Sequence, residues 1–318
     1  MLPETSGENS TIVCMTASWD ICIRGGGLVG RTLALLLSQT PRMRVLLVEQ
    51  ASGATPDVRA YALNEASRNL LSSVGCWPAE PHATPVQTMH VWGDTHGQVR
   101  FESPSPLGLT TIVDVPVLED LLDQAVNQRP NITRQPDPAP ATLTMVCEGR
   151  QSTSRDQLGV DMERLPYHQH ALACRVRTAQ PHRQQALQWF SATPHGTDIV
   201  ALLPLEGPEG SLSAVIWSTS PEHARSLQTR DEAAFNTALQ EATHHHLGEL
   251  SCVSARAVWP LQLQRAHTWC GEFAPGQAWV LAGDAAGVVA PASGEGIYYA
   301  MACARMVAQS VDLALTHG

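Results

Sequence analysis

The sequence contains no lysine, and its basic side chains other than histidine are 20 arginines. Aspartate and glutamate together number 30, which gives a formal net charge of -10. A nucleic-acid partner would require a basic face, so this acidic balance predicts that the protein does not bind nucleic acid. No apolar run approaches the roughly 20 residues that a membrane-spanning helix needs. The sequence is therefore expected to form a globular, soluble protein.

No C-x-x-C pair occurs among the eight cysteines, which are scattered through the sequence. Scattered cysteines in a chain of 318 residues are usually reduced core thiols, which predicts a cytoplasmic location. Residues 1–19 lack both the apolar core of a signal peptide and the arginines of a mitochondrial transit peptide. We expect these residues to form a flexible tail.

A glycine-rich turn lies between an apolar strand predicted at residues 20–23 and an amphipathic helix. A second apolar strand, predicted at residues 45–48, ends at Glu49. The glycines of the G-x-G-x-x-G pattern are Gly25, Gly27 and Gly30. In such a βαβ unit they allow a tight turn, close approach of a pyrophosphate, and close packing of helix on strand. The positive end of the helix dipole faces the phosphates, and the terminal acid accepts hydrogen bonds from a ribose, so the unit predicts dinucleotide binding.

A second glycine-rich turn occurs near the C-terminus. Residues 279–282 predict a buried strand that leads directly into Gly283 and Asp284, and a helix is predicted from about residue 297 to residue 315. A carboxylate in this place suits a ribityl or ribose hydroxyl, and the helix dipole would stabilise the negative charge of a reduced flavin ring. This second turn favours FAD over NAD, although Asp284 taken alone fits a helix cap or turn residue equally well.

Four blocks of the sequence resemble the FAD-dependent aromatic hydroxylases, the para-hydroxybenzoate-hydroxylase-like family, and they occur in the same order as in that family. They are most similar to the ubiquinone-biosynthesis branch. The blocks are residues 20–50, 57–77, 147–155 and 279–310. The resemblance implies that Arg59 lies against the cofactor and that Glu148 and Gly149 close over the FAD pyrophosphate. It also implies that a loop containing Pro291, Gly294 and Gly296 lies beside the reactive face of the flavin.

The resemblance and the residue patterns together predict an α/β fold with two domains. The first is a discontinuous, Rossmann-like FAD-binding domain made of residues 20–83, 110–160 and 270–318. The second is an inserted antiparallel-sheet substrate domain made of residues 84–109 and 161–269. Short alternating stretches with one apolar face, at residues 84–101 and 165–217, predict that sheet.

Several positions are unusual. Arg24 stands where the glycine-rich motif more usually has a small or apolar residue, and Glu148 replaces the family's usual aspartate, which adds one methylene group. If the site is otherwise unchanged, Glu148→Asp should tighten FAD binding; if the backbone has adjusted around glutamate, the same change should weaken it. Gly287 stands where this branch commonly has histidine. The proline-containing segment 131–141 is short, and proline removes ladder donors, so it is not expected to form central sheet.

Two histidine groups raise the question of a metal site. A helix is predicted at residues 230–246, and the consecutive residues His244 to His246 would point about 100° apart on it, so they could not converge on one ion. His168 and His170 are expected to alternate onto one face of a strand, but no third ligand is evident. We predict that both groups are polar surface and that the protein binds no metal.

The sequence leaves three functions open. The resemblance implies an FAD-dependent monooxygenase, reduced by NAD(P)H, that hydroxylates a polyprenylated phenol or quinol in ubiquinone biosynthesis. The apolar tail of such a substrate implies docking at the surface of the inner membrane and contacts with quinone-pathway proteins. Residues 293–301 are more similar to flavin-dependent geranylgeranyl reductases, which favours reduction of a prenyl double bond. The shortened segments and Glu148 favour a non-catalytic flavoprotein in a quinone-pathway assembly. No catalytic side chain is evident, because the flavin itself carries the chemistry.

Overall fold

The computed structural model describes residues 19–50, 57–94, 97–194, 196–288 and 296–317. The predicted tail lies outside these residues except for Trp19, which instead begins the first strand. Pro291 and Gly294, predicted to lie beside the flavin, also fall outside them, whereas Gly296 is the first residue of the last helix.

Seven α-helices occur in the described residues. They are α1 (Leu28–Leu37), α2 (Glu65–Ser73), α3 (Val115–Asn127), α4 (Thr153–Gln157), α5 (Pro221–Thr229), α6 (Glu232–Ala242) and α7 (Gly296–His317). The strands are β1 (Trp19–Arg24), β2 (Val45–Val48), β3 (Ala60–Leu63), β4 (Ala83–Val86), β5 (Thr88–Trp92), β6 (Gln98–Glu102), β7 (Thr110–Asp114), β8 (Ile132–Gln135), β9 (Ala141–Val146), β10 (Met162–Thr178), β11 (Gln185–Thr193), β12 (Gly196–Leu205), β13 (Leu212–Thr219), β14 (Leu250–Cys252), β15 (Ala257–Ala266), β16 (Cys270–Ala274), β17 (Gln277–Leu281) and β18 (Gly287–Val288). No helix in this described part of the chain is both long enough and apolar enough to cross a membrane.

A six-stranded sheet, in the order β16-β17-β9-β1-β2-β8, carries the glycine-rich turn. β1 pairs in parallel with β2 and with β9, and β17 pairs in parallel with β9. Ile21 and Ile23 pack in the core shared with α1 and α7, whereas Cys22 packs on the opposite face with Leu46 and Ala141. Burial on both faces explains why β1 and β2 are continuous apolar runs rather than alternating ones.

The proline-containing segment behaves largely as expected. β8 lies at the edge of the six-stranded sheet and contains no proline, and Pro136, Pro138 and Pro140 lie in the connection between β8 and β9. Ala141, which the prediction included in that segment, is instead the first residue of the central strand β9 and pairs with Trp19.

A nine-stranded sheet follows the order β18-β15-β10-β13-β12-β11-β5-β6, with β14 paired to β10. The prediction of an antiparallel sheet is wrong for one pair, since β5 and β11 run parallel. These two strands are far apart in sequence, and a long connection permits parallel pairing. The apolar face of this sheet packs against α5 and α6 through a cluster that includes Leu172, Cys174, Val176, Leu227, Phe235 and Leu239.

A small antiparallel sheet, in the order β3-β7-β4, completes the fold. β4 runs across the predicted domain boundary between residues 83 and 84. The α/β class, with a Rossmann-like parallel sheet and a second, mainly antiparallel sheet, is confirmed. The predicted domain boundaries remain a prediction.

The helix predicted at residues 230–246 is shorter than expected. α6 begins after Asp231, whose side chain accepts a hydrogen bond from the Ala234 amide at 2.8 Å, and it ends at Ala242. His244 and His245 have φ values of 50° and 54°, a left-handed conformation that cannot continue a helix. The helix α5, which ends at Thr229, was not predicted.

The predicted alternation of His168 and His170 is also wrong. A register shift between Pro166 and Gln169 interrupts the pairing of β10 with β15, and His168 has a φ of 55°. A bulge of this kind changes which face the following residues occupy, so the simple two-residue spacing does not hold.

Candidate cofactor site

Four strand ends meet at one edge of the six-stranded sheet. Arg24, at the end of β1, pairs with Val48 of β2 and with Val146 of β9, and Val146 pairs with Leu281 of β17. Their carboxyl ends are therefore level, and the segments that follow carry Glu49, Gly25, Glu148 and Asp284. In open α/β sheets, ligands bind in the crevice outside the carboxyl ends of the strands. The fold thus brings together residues from three of the four blocks predicted to contact the cofactor, 20–50, 147–155 and 279–310.

The three glycines of the first turn have different surroundings. Gly25 has a φ of +111°, and a Cβ built on it would lie 2.5 Å from the Cys147 carbonyl oxygen. A Cβ on Gly30 would lie 1.9 Å from the Gly25 oxygen, so only glycine permits this helix to approach the turn. A Cβ on Gly27 would meet no described atom within 4 Å, which means that this position faces open space.

Gly27 is also the residue that precedes α1. Among the described residues, no side chain caps this helix and no acid occupies its first turn. The free N–H groups and the positive end of the helix dipole therefore face the open space beside Gly27, which fits a pyrophosphate group.

Gly26 was not singled out by the motif, yet a side chain at this position would also clash. A Cβ on Gly26 would lie 1.9 Å from Oε2 of Glu49. The signal in the sequence was the middle glycine of three in a row, which the spacing pattern treats as a free position. Gly26 allows the carboxylate that follows β2 to lie directly against the turn.

Glu49 is held there by two arginines. Nη2 of Arg31 is 3.2 Å from Oε2, and Nε of Arg134 donates to Oε1. Both arginines also form ion pairs with Asp123, at 3.3 and 2.8 Å. The carboxylate predicted to bind a ribose is therefore oriented by a four-residue charge network, and its contact with a ribose remains a prediction.

Glu148, which follows β9, has most of its hydrogen-bonding capacity filled by serines. Oε2 accepts from the Ser152 hydroxyl at 2.8 Å and from the Ser154 amide at 2.9 Å, and Oε1 accepts from the Ser154 hydroxyl at 2.5 Å. Burial raises the pKa of Glu148, but the hydrogen bonds from Ser154 and Ser152 and the charge of Arg24 outweigh it and lower the pKa below its usual range. The carboxylate is therefore ionised and structurally engaged.

Arg24 contacts the same group. Its Nη1 donates to the Ser154 hydroxyl at 2.9 Å, so Ser154 links the arginine to Glu148. The unusual arginine of the glycine-rich motif and the unusual glutamate of the family block are therefore neighbours in space. Beside them, Gly149 has a φ of +74°, and a Cβ there would meet no described atom within 4 Å.

Asp284 follows β17 in a single 3₁₀ turn, Gly283–Ala285. Gly283 has a φ of +61°, and a Cβ on it would lie 2.9 Å from Cγ2 of Val29, so this turn packs against the start of α1. Burial raises the pKa of Asp284, and the charges of Arg150 and Arg59 only partly oppose the rise. A half-buried carboxylate of this kind would be stabilised by hydroxyl donors, which fits a ribityl or ribose group.

Arg155 joins two of the predicted blocks, although only its place at the end of a block pointed to it. The residue is 1% exposed, and its guanidinium donates to the carbonyl oxygens of Ala285 at 3.4 Å and Arg150 at 3.2 Å. Five donors in a rigid fork allow one buried arginine to fix several backbone segments. Arg155 thus holds the turn containing Asp284 against the segment containing Gly149.

Arg59 lies near this edge, since its charge acts on Asp284. Its guanidinium donates to Asp57 at 2.5 and 2.9 Å and lies 5.6 Å from the centre of the Tyr61 ring. Arg175 of the nine-stranded sheet donates to Asp114 at 2.5 Å and to the Arg59 carbonyl oxygen at 3.5 Å. The predicted cofactor arginine is therefore attached to both the small sheet and the large sheet.

The histidines occupy other places. His246 lies edge-on to the rings of Trp92 and Trp189, with centroids 5.0 and 6.0 Å apart. Within the described ranges, no group of three or more histidine, cysteine or acidic side chains is placed to hold a metal ion.

Comparison with known proteins identifies the family to which the chain belongs. The chain matches the FAD binding domain family over residues 18–137 and 139–316. It is 29% identical over 310 residues to the 3-demethoxyubiquinol 3-hydroxylase of Escherichia coli, which covers 87% of this chain and 75% of that protein. It is 28% identical over 277 residues to the ubiquinone biosynthesis monooxygenase COQ6 of Drosophila melanogaster, which covers 75% of this chain and 57% of that protein. The chain thus spans little more than half the length of the Drosophila relative.

A solved structure with the same fold is p-nitrophenol 4-monooxygenase PnpA of Pseudomonas putida. The TM-score is 0.73 at 17% identity, and the match covers 94% of this chain and 81% of that one. The family match extends over both predicted dinucleotide-binding turns, so the prediction of FAD is confirmed. The chain belongs to the FAD binding domain family and is a flavoprotein oxidoreductase of the FAD-dependent aromatic monooxygenase class.

Proposed function

We propose that this chain hydroxylates the aromatic ring of a polyprenylated phenol or quinol in ubiquinone biosynthesis, with NAD(P)H as the reductant. The observation that supports the proposal most directly is the sheet edge at which Gly27, Glu148 and Asp284 meet. The activities of the Escherichia coli and Drosophila relatives, a 3-demethoxyubiquinol 3-hydroxylase and a ubiquinone biosynthesis monooxygenase, supply the substrate class.

The residues of this edge would each bind a different part of FAD. The uncapped start of α1 at Gly27 would bind the pyrophosphate, and Gly149 leaves room for it on the neighbouring strand end. Asp284 would accept a hydrogen bond from a hydroxyl of the cofactor, and Arg59 would lie against it. When bound, FAD supplies the redox chemistry that activates oxygen.

The nine-stranded sheet would complete the substrate cavity. One of its faces is covered by α5 and α6, whereas Arg175 extends from the other face toward Asp114 and the Arg59 backbone. The open part of that second face is therefore the surface that can enclose an aromatic ring next to the cofactor edge. An apolar tail on the substrate would require access to a membrane surface, which favours a cytoplasmic protein bound peripherally to the inner membrane.

Three measurements test the proposal. The purified protein should show the visible absorption of an oxidised flavin. It should oxidise NAD(P)H faster when a prenylated phenol is added, and the product should be heavier by one oxygen atom. The Gly27→Val variant, expected to lack flavin, is the negative control.

Other results would favour the alternatives. A product heavier by two hydrogen atoms would assign the chain to prenyl reduction, which the resemblance of residues 293–301 to geranylgeranyl reductases favours. A flavin-loaded protein whose NAD(P)H oxidation and product are unaffected by any phenol would indicate a non-catalytic flavoprotein. The serine contacts of Glu148 weaken that last alternative, because the unusual residue is fully accommodated.

A further inference from the structure

Among the described strands, β6 forms one edge of the nine-stranded sheet, and all five of its residues are exposed. Val99 is 52% exposed and Phe101 is 50% exposed, so two large apolar side chains on one face of this strand contact solvent. An exposed edge strand with apolar side chains is a template for pairing with another strand.

The hydrogen bonds of the β5–β6 hairpin show which residues of β6 remain available at that edge. The Gly93 amide donates to the Gly97 oxygen, and the Ser103 amide donates to the Gln87 oxygen. Hydrogen-bonded pairs alternate along an antiparallel ladder, so Gly97, Val99, Phe101 and Ser103 direct their backbone groups toward β5. Gln98, Arg100 and Glu102 therefore direct theirs outward.

The outward residues carry opposite charges two positions apart. Arg100 and Glu102 form an ion pair at 2.9 Å within the strand, and their side chains are 56% and 65% exposed. A single charge at such a position usually prevents edge pairing. Two opposite charges prevent it only in some registers, because each can face its complement on an identical strand.

We propose that β6 pairs antiparallel with β6 of a second copy of this chain, in the register centred on Phe101. In this register Arg100 of each copy lies opposite Glu102 of the other, and both residues have the outward backbone groups that the new ladder requires. The two Phe101 residues lie opposite each other at the non-hydrogen-bonded position, where side chains approach most closely.

Neighbouring registers are excluded by charge. Centring the pairing on Arg100 places two arginines opposite each other, and centring it on Glu102 places two glutamates opposite each other, and like charges in direct opposition destabilise a sheet. The selected register is two-fold symmetric, so it uses the edge of each copy once and closes as a dimer rather than growing into a fibre.

The loop after β6 extends the same surface. The Leu109 amide donates to the Val86 oxygen, and the Ser103 amide donates to the oxygen of the next residue, Gln87. The loop therefore lies beside the end of β6. Leu107 and Leu109 are 39% and 41% exposed. They add apolar area to an interface that five paired residues alone would leave small.

Sedimentation velocity of the FAD-loaded protein, from low micromolar to submillimolar concentration, tests the proposal with charge-reversal variants. The unchanged protein should dimerise reversibly. Glu102→Arg places Arg100 opposite an arginine in both pairs, and Arg100→Glu places Glu102 opposite a glutamate. Each variant should weaken the dimer at least about tenfold.

Mixing the two variants should restore dimers, because one strand then carries two acidic residues and the other two basic residues in complementary places. The double variant Arg100→Glu/Glu102→Arg should dimerise as the unchanged protein does. Glu272→Arg makes the same charge change on β16, the exposed edge strand of the other sheet, and should leave the dimer intact.

Three results would overturn the proposal. One is a protein that is monomeric at every concentration. Another is a dimer that neither single variant weakens, which would assign association to a different surface. The third is a mixture of the two variants that stays monomeric, since misfolding of one variant would be visible separately in its far-ultraviolet spectrum and flavin content.

Discussion

The turns that follow β9 and β17 are neighbours at one sheet edge. Each carries one carboxylate, and the pKa values of the two carboxylates are shifted in opposite directions. Glu148 receives three hydrogen bonds from serines, and these bonds with the charge of Arg24 lower its pKa despite burial. Asp284 is dominated by burial, which raises its pKa. The comparison indicates that Glu148 stabilises the protein's own structure. The charged form of Asp284 is instead destabilised by desolvation, and a hydrogen bond from a cofactor hydroxyl would offset that loss.

The largest effect is expected at Gly27, the residue that precedes α1. Gly27→Val should abolish flavin retention, because a branched side chain would fill the open space next to the helix start. Gly97→Val is a matched control, since a Cβ there also meets no described atom within 4 Å but lies in the β5–β6 hairpin. Absorption of the purified proteins at the flavin bands measures the difference. A folded Gly27→Val protein with full flavin content would show that the first turn is not the FAD site.

Asp284→Ala should weaken FAD binding by about 1.5–3 kcal/mol, the range for a hydrogen bond to a charged group. Titration of apoprotein with FAD measures the change in affinity. Asp284→Asn, which keeps the size and one acceptor, should lose less. Equal affinity in all three proteins would assign Asp284 a structural role and remove the contrast with Glu148.

Glu148→Asp should weaken FAD binding by about 1 kcal/mol. The shorter side chain cannot keep all three serine contacts, so the second of the two sequence-based expectations is the one that the geometry favours. FAD titration again provides the measurement. If the Glu148→Asp variant instead binds FAD more tightly, then the segment tolerates the shorter acid and the family geometry applies here unchanged.

The Arg24 contact gives a related prediction. Arg24→Ala and Glu148→Asp should be non-additive in a double-mutant cycle, with a coupling energy of about 0.5–3 kcal/mol, because Ser154 connects the two side chains. Thermal unfolding of the apoproteins measures the cycle. Additive effects would mean that the unusual residues Arg24 and Glu148 act independently.

The smallest effect, and the sharpest comparison, is the pH dependence of apoprotein stability. The pKa of Glu148 is lowered on folding, so its contribution is present above its unfolded value near 4.5 and is lost as the pH falls. The pKa of Asp284 is raised, so its contribution is present below its unfolded value near 3.8 and is lost as the pH rises. At neutral pH, Glu148→Gln should therefore lower the Tm by a few degrees and Asp284→Asn should raise it. Shifts of the same sign would contradict the assignment of different roles.

Much of this site could be predicted from local sequence. Gly25 and Gly30 are required by backbone sterics within one βαβ unit, and such requirements leave a short pattern that can be recognised without the rest of the fold. The end of β2 just before Glu49 followed from a run of apolar residues in the same way. The helix at residues 230–246 and the strand containing His168 were misjudged because local periodicity does not reveal a left-handed residue or a bulge.

The sequence by itself determined the glycine turn, the aspartate turn and the FAD-binding family, because each depends on residues that are close in the chain. Only the tertiary structure decided how these pieces act on one another. The bond from Arg24 to Ser154 joins residues 130 positions apart, and so does the bond from Arg155 to Ala285. Both exist because β9 pairs between β1 and β17, and sheet order is set by long-range packing that no local pattern records.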